Sequence, residues 1–89
     1  MLILRVELSD IKSYAAGSPS IRLERGLNFL HGKNGAGKST VLEAIGYAVF
    51  DHNPYSTVKD FVRKGKKAGT MKVWFDPGDG RVYRATRRV

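Results

Sequence analysis

Gly32, Gly37, Lys38 and Ser39 stand at the spacing GxxxxGK(S/T) inside the stretch HGKNGAGKST, residues 31–40. Glycines let the chain turn so that successive N–H groups point inward as an anion nest, and a helix starting at Lys38 adds roughly half a unit of positive charge at its N-terminus. Phosphate is the ligand that such a loop suits. In this reading the backbone of Asn34, Gly35, Ala36 and Gly37 lines the cradle, Lys38 reaches the β- and γ-phosphates, and the Ser39 hydroxyl completes the coordination of Mg²⁺. Thr40 adds a contact at the helix start. The expected cofactors are therefore ATP and Mg²⁺. The plainer alternative, a glycine-rich turn that merely caps a helix, is disfavoured by context, since an apolar strand precedes the loop and an amphipathic helix follows it.

The elements that must position this loop read as follows. Met1 to Leu8 alternates with period two, placing Leu2, Leu4, Val6 and Leu8 on one face and Arg5 and Glu7 on the other. Gly17 to Ser20 is loop chemistry. Ile21 to Glu24 and Leu27 to His31 read as two short strands around an Arg25-Gly26 turn, the second running into the glycines. From Lys38, the apolar residues Val41, Leu42, Ala44, Ile45, Ala48 and Val49 form the stripe of a helix packed on a sheet, ending near Phe50. Thr57 to Asp60 resembles a capping box before a short helix over 58–62. Thr70 to Asp76 and Arg81 to Val89 read as a hairpin around Pro77-Gly78-Asp79-Gly80.

Hydrolysis needs more than a cradle. A carboxylate on a neighbouring strand must help hold the metal, and another group must orient the attacking water. Asp51 stands at the far end of the main helix, about 18 Å from the phosphates, and Asp76 is accounted for by the turn that follows it. The chain contains no glutamine. A catalytic set is thus incomplete, and so is the architecture, because after Phe50 there is no room for the parallel strands and helical crossovers of a whole P-loop fold. The expectation is an α/β segment, residues 1–89, forming one incomplete domain.

Bulk composition narrows the classes further. With no cysteine and two isolated histidines, thiolate metal sites, disulfides and an unaided zinc site drop out. No run approaches the roughly 18 apolar residues of a membrane span, and the N-terminus is too short and too acidic for a secretory signal, so an intracellular protein is expected. Sixteen Lys+Arg against eight Asp+Glu give a net charge of +8. Residues 51–89 carry +6 of it. A polyanionic partner follows from that balance, with Arg63, Lys64, Lys66, Lys67, Arg84 and Arg88 as candidate DNA contacts. Arg84 and Arg88 would track a backbone together if they share a strand face; a solvated face is the alternative. Trp74 and Tyr83 read chiefly as packing residues, with base stacking the less favoured role.

GLNFLHGKNGAGKSTVLEAIGYAVF, residues 26–50, resembles the N-terminal phosphate loop of ABC-type ATPases, in particular the SMC-like DNA-repair branch that includes SbcC and Rad-fifty. Leu42-Glu43-Ala44-Ile45, Asp10-Ile11-Lys12-Ser13-Tyr14 and the closing Val82 to Arg88 are similar to segments of that branch, so the resemblance covers essentially the whole chain. It implies the N-terminal part of an ABC-type P-loop head, with a mixed or antiparallel sheet and one main helix after the phosphate loop. It also implies that Lys12 and Ser13 lie near the nucleotide, although Lys12 stands where arginine is common and lacks its bidentate fork; on residue chemistry alone a solvated strand-end loop over Lys12 to Tyr14 is the equal alternative. Implied partners are DNA, the remainder of the protein's own head, a second head in a head-to-head homodimer and a repair nuclease of the SbcD type. The signature motif, the second acidic motif and the switch histidine of the family are not in these residues. Other readings are a stand-alone nucleotide-binding module, a module gripping nucleic-acid phosphate, and a fragment of an ABC transporter ATPase.

Overall fold

The structure is a computed structural model that describes residues 1–23 and 35–89, apart from the side chains at positions 35, 36 and 38. Strand β1, Leu2–Ser9, is paired antiparallel with β2, Ile21–Arg22, on one side and with β3, Thr70–Asp76, on the other. Strand β4, Tyr83–Arg88, pairs antiparallel with β3, giving the order β2-β1-β3-β4. Helix α1, Gly35–Phe50, lies across one face against β3 and β4. This is the α/β arrangement expected, a mixed segment with an antiparallel sheet and one main helix. The predicted strands at 24–31 and their turn lie outside the described residues.

Alternation in β1 is broken once. Ile3 pairs with Phe75 and Arg5 with Trp74, which leaves Leu4 as the extra residue of a bulge. The face expected to hold Leu2, Leu4, Val6 and Leu8 is therefore corrected: Ile3, Val6 and Leu8 are buried, while Leu2 is 44% exposed. A one-residue insertion reverses the side of everything beyond it. Helix α1 begins three residues before the expected Lys38, inside the glycine stretch, and its stripe buries Val41, Ala44, Ile45 and Ala48 but leaves Leu42 exposed. The stripe packs on β3 and β4 and shares one core with Val73 and Met71.

The helix stops where Asp51 turns left-handed at φ 57, with its N–H still bonded to the Tyr47 carbonyl at 3.0 Å. Arg87 closes the same end: its guanidinium lies 4.9 Å from the Tyr47 ring centroid and 3.4 Å from the Asp51 carboxylate. A cation there also complements the helix dipole. The predicted short helix is a 3-10 turn, Val58–Phe61, capped by the Thr57 hydroxyl accepting from the Lys59 N–H. Among the described residues, no helix is long and apolar enough to cross a membrane.

Phe61 joins this turn to the rest. It is fully buried, stacked on Tyr47 at 5.5 Å and met edge-on by Tyr55 at 5.0 Å. Replacing it with alanine should cost about 3–5 kcal/mol, a large share of the stability of so small a domain. Urea denaturation of Phe61→Ala beside Leu42→Ala checks this, the exposed leucine being expected to cost much less.

Candidate functional site

The N-terminus of α1 is where the glycine motif and the sheet meet. Gly35 to Thr40 form the first six residues of a 16-residue helix, and no acidic residue occupies its first turn. Gly37 and Thr40 are buried, and Ser39 is exposed. A helix that starts inside the motif presents its unpaired N–H groups and the positive end of its dipole to whatever lies before it. That environment suits an anion, and the exposed Ser39 hydroxyl fits a cation bridging to phosphate. Asn34 lies outside the described residues. Among the described residues, no group of three His, Asp or Glu side chains is clustered to hold a metal ion, so Ser39 would need ligands from elsewhere.

Lys12 and Ser13 form the tip of a tight turn beside this helix end. Ile11 and Tyr14 exchange backbone hydrogen bonds of 3.0 and 2.8 Å across the turn, with Lys12 left-handed at φ 48. Asp10 is left-handed too, at φ 55, and such backbone persists only where its surroundings fix it. The surroundings do so here. The Lys12 N–H donates to the Phe61 carbonyl at 3.0 Å, the Arg63 N–H to the Asp10 carbonyl at 2.8 Å, and the Arg63 guanidinium to the Lys12 carbonyl at 3.1 Å. Gly69 packs so tightly that a Cβ there would lie 2.5 Å from the Asp10 carbonyl oxygen. Tyr14 then reaches across to α1, its hydroxyl donating to the Gly37 carbonyl at 3.2 Å.

A second thread joins the same two elements. The Lys12 ammonium sits 4.3 Å from the Tyr55 ring centroid, and the Tyr55 hydroxyl donates to the Glu43 carboxylate at 2.7 Å, one helical turn beyond Ser39. Burial, then the carboxylate's hydrogen bond and charge, push the Tyr55 phenol up from 10.0 to about 12. Burial also raises Tyr14. Tyr14 and Glu43 fall in segments that carry the family resemblance, but their bonds to Gly37 and Tyr55 were not legible, because these contacts span 23 and 12 positions.

The basic residues divide into two groups. Arg63 is committed to the Asp10–Lys12 turn, whereas Lys64, Lys66 and Lys67 are exposed beyond it. Arg84 and Arg88 do share a strand face. The register places Arg22, Arg5, Trp74 and Arg84 in one row across the four strands, with Lys72 and then Arg88 in the rows beyond. This is the sheet face opposite α1. Arg5 lies 3.9 Å over the Trp74 ring and pairs with Glu7 at 2.7 Å. Arg5 and Arg22 were not legible as members of this surface, since they come from strands far from the basic half. Tyr83 lies on the other face, stacked on Phe75 at 5.9 Å and bonded to Asp79 at 2.6 Å. The two carboxylates weighed as metal ligands have structural employment: Asp51 pairs with Arg87, and Asp76 accepts the Gly78 N–H at 2.7 Å.

A family model described as an AAA domain matches residues 5–88. A DNA double-strand break repair Rad50 ATPase from Methanopyrus kandleri is 36% identical over 86 residues, covering 97% of this chain and 10% of its own length. The protein of the same name from Thermoplasma acidophilum is 33% identical over 89 residues, 100% of this chain and 10% of its own. The chain thus spans about a tenth of the length of these curated relatives. A solved structure from work on the structural biochemistry of ATP-driven dimerization and DNA stimulated activation of SMC ATPases superposes with a TM-score of 0.77 at 25% identity, over 100% of this chain and 63% of that one.

The Tyr55 shift has a pH consequence. Its phenol is expected to ionise near 12 rather than 10.0, so the neutral form is favoured by folding. That contribution is fully present below pH 10 and is lost as pH rises through about 12. Ultraviolet titration of the phenols, comparing the parent chain with Glu43→Gln, should show one tyrosine moving back toward its ordinary value.

Proposed function

This chain belongs to the AAA domain family, and we propose that it is the N-terminal segment of an ATPase head of the SMC-like, Rad50-related kind, which binds Mg²⁺-ATP through residues 32–40. The observation that carries this reading is the start of α1 inside the GxxxxGK(S/T) motif, with no carboxylate in its first turn. In this assignment Asn34 to Gly37 offer backbone N–H groups, Lys38 meets the β- and γ-phosphates, and Ser39 and Thr40 contribute hydroxyls. When bound, Mg²⁺ neutralises charge on the phosphate oxygens. Lys12 and Ser13 lie on the turn that abuts the helix end, which supports a role for them beside the nucleotide.

These residues bind and orient; hydrolysis draws on groups from the remainder of the head. The whole protein is proposed to hydrolyse ATP, to pair head to head, and to act with a repair nuclease on DNA double-strand breaks inside the cell. For DNA contact, the open sheet face supports Arg84 and Arg88 most directly, with Lys64, Lys66 and Lys67 on the neighbouring loop.

Two measurements test the proposal. Lys38→Ala should abolish Mg²⁺-ATP binding, read by titration with a fluorescent ATP analogue, and unchanged affinity would sink the phosphate-loop assignment. The double variant Arg84→Ala/Arg88→Ala should leave ATP affinity intact, weaken DNA binding, and reduce the slope of log affinity against log salt by about 2. An unaltered slope would remove these arginines from the DNA surface.

A further inference from the structure

We propose that Tyr14 is a positioning residue for the phosphate loop: its hydroxyl bond to the Gly37 carbonyl fixes the first turn of α1 against the Asp10–Tyr14 turn, so that phosphate binding at one tightens the other. This rests on the reading of residues 32–40 as a nucleotide-phosphate site.

The turn at Asp10–Tyr14 is held from several sides. Its backbone is held by bonds to Phe61, Arg63 and the reciprocal Ile11–Tyr14 pair, its Asp10 side chain accepts the Ala16 N–H at 3.2 Å, and Ile11 is fully buried. Two left-handed residues without glycine's freedom would not stay there unless several contacts fixed them at once. The turn is therefore a fixed post. Tyr14 extends from it as a half-buried side chain packed against the core, which leaves its hydroxyl little choice of partner.

The partner it finds is the carbonyl of the glycine immediately before Lys38. That carbonyl shares its peptide plane with the Lys38 N–H, so the bond holds in place the first turn of α1, whose unpaired N–H groups face whatever precedes the helix. An anion nest depends on that direction, because hydrogen bonds to phosphate weaken steeply with misalignment. The Lys12–Tyr55–Glu43 thread runs in parallel, one turn further along the helix, and holds the post and α1 together when the Tyr14 bond is removed. Coupling is reciprocal: whatever the post gives to phosphate affinity, bound phosphate must return as protection of the post.

Tyr14→Phe in the full chain removes the hydroxyl and keeps the ring. It should weaken Mg²⁺-ATP binding roughly fivefold, the share of one neutral hydrogen bond, and lower the ligand-free melting temperature by no more than about 4–8 °C, the shift expected for about 1 kcal/mol in a chain of this size. Hydrogen exchange supplies a readout that a merely structural role would not move. In the parent chain, Mg²⁺-ATP should slow exchange at the Ile11 and Tyr14 amides; in Tyr14→Phe that slowing should largely vanish. Equal ATP affinity in Tyr14→Phe and parent, or undiminished nucleotide-dependent protection in the variant, would overturn the inference while the phosphate site stands. If the parent and Lys38→Ala bind ATP equally, the phosphate-loop reading fails and takes this inference with it.

Discussion

Burial of one stripe of α1 against β3 is the contact on which the remaining geometry rests. Val41, Ala44, Ile45 and Ala48 press on a sheet face supplied by Val6, Leu8, Met71 and Val73, and this layer is most of the core the described residues possess. A chain of this size has no second apolar layer to fall back on. Once α1 is seated, its N-terminus lies against the Asp10–Tyr14 turn and its C-terminus against Arg87 of β4. The first carries the glycine motif; the second is closed by Arg87, Tyr47 and Asp51. Seating the helix on one face also leaves the other face to the alternate residues of every strand, among them Arg5, Arg22, Lys72, Arg84 and Arg88.

The turn at Asp10–Tyr14 ties this layer to the N-terminal end of α1. It follows β1 directly, so its position is set by the strand; its conformation is set by backbone bonds from the 61–63 segment; and its reach to α1 is set by Tyr14 and, through Tyr55, by Glu43. None of these contacts is strong alone, a neutral hydrogen bond being worth about 1 kcal/mol net. Together they hold two non-glycine residues in a backbone region they would otherwise leave. Strain of that kind collects beside functional positions, and here it lies next to the end of α1 that carries the glycine motif.

The basic surface illustrates a different division of labour. Counting charges located the excess in residues 51–89, yet the structure assigns those residues unlike tasks. Arg63 holds a turn and Arg87 holds the end of a helix, while Arg84, Arg88 and Lys72 share the open sheet face with Arg5 and Arg22 from the less basic first half. Trp74 shows the same mixture, being a cross-strand neighbour of Arg84 and at the same time the platform for Arg5. Charge composition is additive along the chain, whereas a surface depends on strand order and register, which pair residues far apart.

How much was legible follows from the range of the interactions involved. The helix after the glycines, the 70–88 hairpin and the Thr57 cap were readable because each is written in neighbouring residues: a period of 3.6, a period of two around Pro-Gly-Asp-Gly, a hydroxyl two residues from its donor. The Leu4 bulge was not, since a β-bulge is a mismatch between two strands and β1 alone carries no sign of it. By itself the sequence determined the glycine motif for which phosphate binding is proposed, the types of the described elements and the sign of the charge, all local or compositional properties. Only the tertiary structure decided that Tyr14 meets Gly37, that Lys12 rests on Tyr55, and which arginines face solvent together, because those depend on contacts spanning tens of residues that no local pattern encodes.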